Sequence, residues 1–245
     1  MIPIRDTIPH RNTPTVVYGI IAVNALVFLY QMGMGQGELH AFFQHYGVLP
    51  ARYNRPEIWE QLGVFRQLVP FVSSMFLHGG VLHILGNMWI LWIFGDNVED
   101  WFGHTGFLVF YLACGVASAL LHLMFNWGSI LPTVGASGAI AGVMGAYFLL
   151  YPTARVVTLL PIFFFFTFVE LPAVVFLGFW FLLQLLSGTA ALGQAGAGGI
   201  AWWAHIGGFV VGALVVFLLG GAKPRRPSKT RPTMKPLWDK VDEYW

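Results

Sequence analysis

The chain has 245 residues, of which 57% are hydrophobic and only 10% charged. A water-soluble domain of this size carries about 25% charged residues, so this composition excludes an ordinary soluble globule and points to lipid as solvent. The net charge of +2 is uninformative until its distribution is read: seven of the thirteen Lys and Arg follow residue 222, while Arg155 is the one basic residue between Gln67 and Ala222.

Residues 1–13, with Arg5 and Arg11, read as a polar N-terminal segment. Six apolar, charge-poor stretches follow, at about 14–33, 77–95, 106–126, 136–152, 169–187 and 200–220. A span needs roughly 20 residues, so these predict an all-α, six-helix membrane bundle over 14–220. The first stretch is long enough to span and has no clear small-residue cleavage site, which argues against a cleaved signal peptide. Residues 34–70 mix three arginines, three glutamates and aromatic residues, as expected of a loop lying on the membrane surface. Val156 to Phe168 is apolar but interrupted by Pro161, and reads as an interfacial or re-entrant connection. The Gly/Ala run 188–199 reads as a flexible loop, and 221–245 as a basic, Pro-rich, mostly disordered tail. An even number of spans puts both ends on one side. The basic tail makes that side cytoplasmic, by the positive-inside rule. Such a tail suits a membrane flank better than nucleic acid.

Helix rise converts sequence position into depth. Ser137 lies about 21 Å from the Tyr151 end of its span, His83 about 20 Å from Asp96, and His205 roughly 23–27 Å from Gly220–Lys223. The three are therefore expected at one height, in the outer third of a ~30 Å core. Asn87 shares the face of His83, one turn away. One polar residue in a span ordinarily serves helix packing; four at matched depth in three spans point to a site. Small faces, Gly138, Ala141, Gly142 and Gly145 on one span and Gly208 and Gly212 on another, would let the helices carrying Ser137 and His205 approach closely.

A serine hydroxyl needs a base, and histidine is the usual one. No acid lies at this depth, so the pair would act as a Ser–His dyad. His83, Asn87 and the backbone N–H of Ser137 could stabilise the oxyanion. There is no His-Glu-x-x-His motif, no pair of facing aspartates, and His78 and His83 are five apart. Zinc and aspartyl chemistries therefore lack their residues, and no metal or other cofactor is expected. Cys114, the one cysteine, reads as a buried inert thiol.

Taken together, His83-Ile84-Leu85-Gly86-Asn87, Gly135-Ala136-Ser137-Gly138 and Ala204-His205-Ile206-Gly207-Gly208 with Gly212 resemble the rhomboid family of intramembrane serine proteases. Gly95-Asp96-Asn97-Val98-Glu99 is similar to the end of span two in that family. The resemblance covers about residues 14–220. It implies Ser137 as nucleophile, His205 as base, the region of Gly135 and Ser137 with His83 and Asn87 stabilising the oxyanion, and membrane protein substrates cut near the extracytoplasmic face. It further implies a bacterial cell (inner) membrane location, and a cap and gate formed by 188–199 and span five. Two positions depart from the pattern: Phe65-Arg66 where many relatives have Trp-Arg, and Ala141 where some have a tyrosine stacked on the histidine. His78 matches an outer-end histidine of several members; His104 and His122 read as structural or interfacial. The alternatives are a catalytically silent rhomboid-like binder of membrane clients and, less favoured for want of a repeat or a charge pathway, a small transporter.

Overall fold

The computed structural model describes residues 1–162, 165–191 and 201–221. In chain order these form β1 (Ile2–Asp6), α1 (Thr15–Met32), α2 (Gln36–Tyr46), α3 (Pro50–Tyr53), α4 (Pro56–Ser73), a 3-10 turn (Ser74–Phe76), α5 (Val81–Phe102), α6 (His104–Phe125), α7 (Ser137–Leu150), β2 (Arg155–Ile162), β3 (Phe165–Pro172), α8 (Ala173–Ala191) and α9 (Trp202–Leu218). Each of the six apolar stretches yields one helix, namely α1 and α5 to α9. Of these α1, α5, α6 and α8 are long and apolar enough to cross a membrane. The fold is a helical membrane bundle. Exposed side chains such as Leu26, Leu29, Leu85, Val109 and Leu186 face outward where lipid would lie.

The short α7 sits at the centre. It packs against α5, α6, α8 and α9, and every residue from Gly138 to Tyr147 is buried. At 14 residues it is only about 21 Å long, some 9 Å short of a bilayer core. A helix of this length does not reach across such a core by itself. Glycines let α7 sink into the bundle. A Cβ on Gly208 would strike the Gly138 carbonyl, and one on Gly145 the Phe209 carbonyl. The buried Cys114 of α6 fits beside Gly142.

The region 34–70 is helical rather than a loop. Its helices α2 to α4 bury Arg52, Tyr53, Gln67 and Phe71 and leave Val64, Phe65 and Leu68 exposed. This is the amphipathic division expected at a membrane surface. Phe65, at the position that departs from Trp, is 80% exposed, so the exchange alters an outward-facing side chain.

One expectation is corrected. The described residues of Val156 to Phe168 are not a re-entrant segment: they belong to an antiparallel pair, with Arg155 opposite Pro172 and Ile162 opposite Phe165. The N-terminal segment contributes a strand that the sequence does not announce: β1 adds to the other edge of β2, with Ile2 opposite Leu159 and Asp6 opposite Val156. Val156, Val157, Thr158, Phe165, Phe166, Phe168 and Val169 are β-branched or aromatic and favour this pleated arrangement over a helix. Val156 and Thr158 are fully buried, so the sheet closes one end of the bundle. Helix α5 also runs seven residues past the expected end of its span, to a stop at Gly103 (φ 73°). Its last turns are polar because they bind the N-terminal segment: Asp100 accepts from the backbone of Asn12, and Glu99 from the N–H groups of Val16 and Val17. The Gly/Ala loop falls mainly at 192–200, outside the described residues, and its first four positions continue α8. The basic tail beyond 221 also lies outside them.

Candidate active site

Ser137 is the first residue of α7 and His205 lies in the first turn of α9. Their helices meet across the glycine faces. The resulting distance from His205 Nε2 to Ser137 Oγ is 2.8 Å, a hydrogen bond. Ser118 of α6 fixes the start of α9 by donating to the Ala204 carbonyl at 2.8 Å. A Cβ on Gly138 would collide with that Ser118 hydroxyl, so Gly138 provides the room for this contact.

The other ring nitrogen of His205 is also engaged. Nδ1 lies 2.8 Å from Oε1 of Gln184, a buried residue of α8. An amide oxygen only accepts, so Nδ1 carries the proton of the neutral ring. Nε2 is then left as a lone pair facing the serine hydroxyl. Gln184 is not among the residues singled out from the sequence. The signal available was its polarity: it is the one amide or ionisable side chain from Ala173 to Leu186.

His83 shows the complementary state. The Gly79 backbone N–H donates to its Nδ1 at 3.3 Å, which leaves Nε2 as the protonated, donating nitrogen. Asn87 is buried, and its Nδ2 has no hydrogen-bond partner. Both donors converge on Gly135. A Cβ there would stand 2.8 Å from His83 Nε2 and 3.7 Å from Asn87 Nδ2. With φ at 131° the position favours glycine twice over, for backbone conformation and for space. Its own N–H, expected as an oxyanion donor, is already given to the Ser74 carbonyl at 2.9 Å. Gly135 therefore makes room for the donors rather than adding one. As the first residue of α7, Ser137 keeps a backbone N–H outside the intrahelical ladder.

Ser137, His205, His83 and Asn87 line one cavity of about 940 Å³, together with His122 and Trp180. His122 is buried and bonded to Thr133 Oγ1 at 2.8 Å and to Asn126. His104 lies elsewhere, bonded to Glu99 and Thr15 near the sheet end. His78 is held through its backbone by Gln31, 2.8 and 3.1 Å away. Where a tyrosine would stack on the histidine, the small Ala141 packs close to Gly208, and the ring neighbours of His205 are Trp180 at 6.0 Å and Trp202 at 6.5 Å. No cluster of three metal-ligating side chains occurs among the described residues.

Fold and site together define a polytopic helical membrane protein with a serine–histidine pair in a recessed cavity. A rhomboid domain model matches residues 65–222, well over half of the chain. The chain belongs to the rhomboid family. It is 36% identical over 97 residues to presenilin-associated rhomboid-like protein A, mitochondrial, of Danio rerio, covering 38% of this chain and 25% of that protein. Rhomboid protein 1, mitochondrial, of Saccharomyces cerevisiae is 28% identical over 145 residues, 57% of this chain and 38% of that one. Rhomboid protease GluP of Bacillus subtilis is 32% identical over 137 residues, 56% of this chain and 24% of that one. The matched stretches thus span between 24% and 38% of these relatives' length.

Proposed function

We propose that this chain is an intramembrane serine endopeptidase that cuts membrane protein segments with a Ser137–His205 dyad. The observation that carries the reading is the 2.8 Å contact between His205 Nε2 and Ser137 Oγ, inside the bundle and facing a cavity. Ser137 Oγ attacks the scissile carbonyl carbon while His205 Nε2 takes its proton. The carbonyl oxygen becomes an oxyanion, received by His83 Nε2–H, Asn87 Nδ2–H and the Ser137 N–H. As the C–N bond breaks, His205 returns the proton to the leaving amine. Water then attacks the acyl-enzyme by the same route and regenerates Ser137.

A transmembrane helix hides its carbonyls in hydrogen bonds, so the substrate must unwind locally; Gly or Pro near the cut is expected. We place its entry between α5 and α8, which both line the cavity. The natural substrates are membrane proteins, single-span or multi-span. With the basic tail inside, the site faces the extracytoplasmic side. Two of these relatives are named as mitochondrial, so a bacterial inner membrane is not supported, and the location proposed is an integral membrane one.

The test is cleavage of a model transmembrane substrate by the purified protein, with fluorophosphonate labelling in parallel. Ser137→Ala and His205→Ala are each expected to abolish both. Undiminished cleavage by Ser137→Ala overturns the reading. Absence of labelling, where an active rhomboid protease reacts, favours a silent binder of membrane clients.

A further inference from the structure

Helix α8 presents Phe176, Trp180 and Gln184 on one face, at i, i+4 and i+8. Phe176 stacks on Phe94 of α5 with ring centroids 6.3 Å apart. Trp180 lines the cavity beside the His205 ring. Gln184 reaches His205 Nδ1. Helix α8 is anchored on α7 and α9, while much of its opposite face, including Val175, Phe179, Leu182 and Leu186, is exposed. The one amide in this apolar stretch is thus turned inward onto the group that must act as base.

A buried polar side chain is costly unless it is satisfied, and a neutral imidazole has two tautomers. Without a partner at Nδ1 the proton would be shared between the ring nitrogens, and a fraction of molecules would face the serine with N–H instead of a lone pair. The geometry points to Gln184 as the positioning residue of the catalytic base: its Oε1 holds the proton on His205 Nδ1 and orients the ring toward Ser137. In this arrangement α8 also reports its own place, because moving its site end away from α9 removes the acceptor. The inference rests on the dyad proposed above. It adds a third member that is a neutral amide carried by a helix at the cavity wall.

The test compares wild type with Gln184→Leu, which keeps bulk without an acceptor, and Gln184→Glu, which keeps an acceptor and adds charge. For Gln184→Leu kcat is expected to fall about 10- to 100-fold with KM within about twofold, because ring orientation and not substrate binding is lost. Gln184→Glu is expected to recover activity at high pH, with the acidic limb of its pH profile displaced upward, since a carboxylate favours the imidazolium. The other ionisable groups near His205 are His83 of α5 and His122 of α6, present in every variant, and α8 itself carries none. A Gln184→Leu enzyme with kcat within about twofold of wild type and an unchanged pH profile overturns the proposal. ¹⁵N NMR of His205 in the Ser137→Ala background gives a readout that needs no cleavage. Wild-type Gln184 should show an Nδ1-protonated ring and Gln184→Leu a mixture; an unchanged tautomer overturns the proposal even if no substrate is ever cut. Loss of all labelling in wild type would instead sink the protease reading and leave the tautomer result standing.

Discussion

A methyl group on Gly212 would collide with the carbonyl oxygen of Gly142. The two helix backbones touch there, and one turn above they touch again at Gly208 and Gly138. These contacts set how near α9 lies to α7, and so how near His205 lies to Ser137.

Gly212→Ala and Gly208→Ala should therefore harm stability and activity together. Backbone cannot rotate away as a side chain can, so a cost of about 1–3 kcal/mol or more is expected. Cleavage should fall further than stability, since a shift of about 1 Å already costs a reacting pair much of its rate. Gly19→Ala on α1, where nothing lies within 4 Å, is the control and should be neutral or slightly stabilising. Thermal unfolding in detergent, beside cleavage of a model substrate, checks both.

The unpartnered Nδ2 of Asn87 points at a second outcome. A buried donor without a protein acceptor is unfavourable, and an oxyanion formed beside it would satisfy it. Asn87→Ala and His83→Ala are each expected to lower kcat by about 10²- to 10³-fold while KM changes little. Asn87→Ala should lose little stability through this group, because the Nδ2 it removes bonds to no other protein group. A rise in KM with kcat intact would remove Asn87 from the oxyanion site.

Much of this site was legible because depth in a membrane can be counted. Ser137, His83, Asn87 and His205 converge as helix rise and polarity require, and the glycine spacing anticipates the α7–α9 contact. Contact itself could not be counted, since it depends on rotation of each helix about its axis. Gln184 was hidden for that reason: one amide in an apolar span has no direction in sequence. The resemblance puts Gly135 in the oxyanion region, yet the Ser74 carbonyl claims its N–H. The sheet was missed because β1 and β2 are about 150 residues apart, and an apolar run broken by proline reads equally well as an interfacial segment.

Glu99 is buried, and its two oxygens receive the N–H groups of Val16 and Val17 at 3.0 and 2.8 Å. It thereby caps α1 from another helix, where a carboxylate also meets the positive end of the helix dipole. Each such bond to a charged group is worth about 1.5–3 kcal/mol, so Glu99→Ala should cost about 3 kcal/mol or more. Glu99→Gln, which keeps one acceptor, should cost about half as much. Both substitutions lie far from the cavity. Labelling of Ser137 at low temperature should survive in them, and its loss while the protein stays folded would contradict this assignment.

Asp6 supplies the pH dependence. Its carboxylate accepts from Tyr147 Oη at 2.5 Å and from Asn97 Nδ2 at 3.0 Å, tying β1 to α7 and α5. Burial pushes its pKa up to about 6 from 3.8, the charge of Asp96 adds to that, and the Tyr147 bond only partly opposes it. The folded state thus holds the Asp6 proton more tightly than the unfolded state. Its contribution to stability is fully present below the unfolded pKa of 3.8 and is lost as pH rises through about 6. Asp6→Asn mimics the protonated form and should flatten the dependence across that window. The check is the difference in melting temperature between wild type and Asp6→Asn, followed from pH about 4 to 7. The variant should gain on the wild type as pH rises. A gap that stays constant, or that closes toward neutral pH, would show that Asp6 is not held protonated against the bundle.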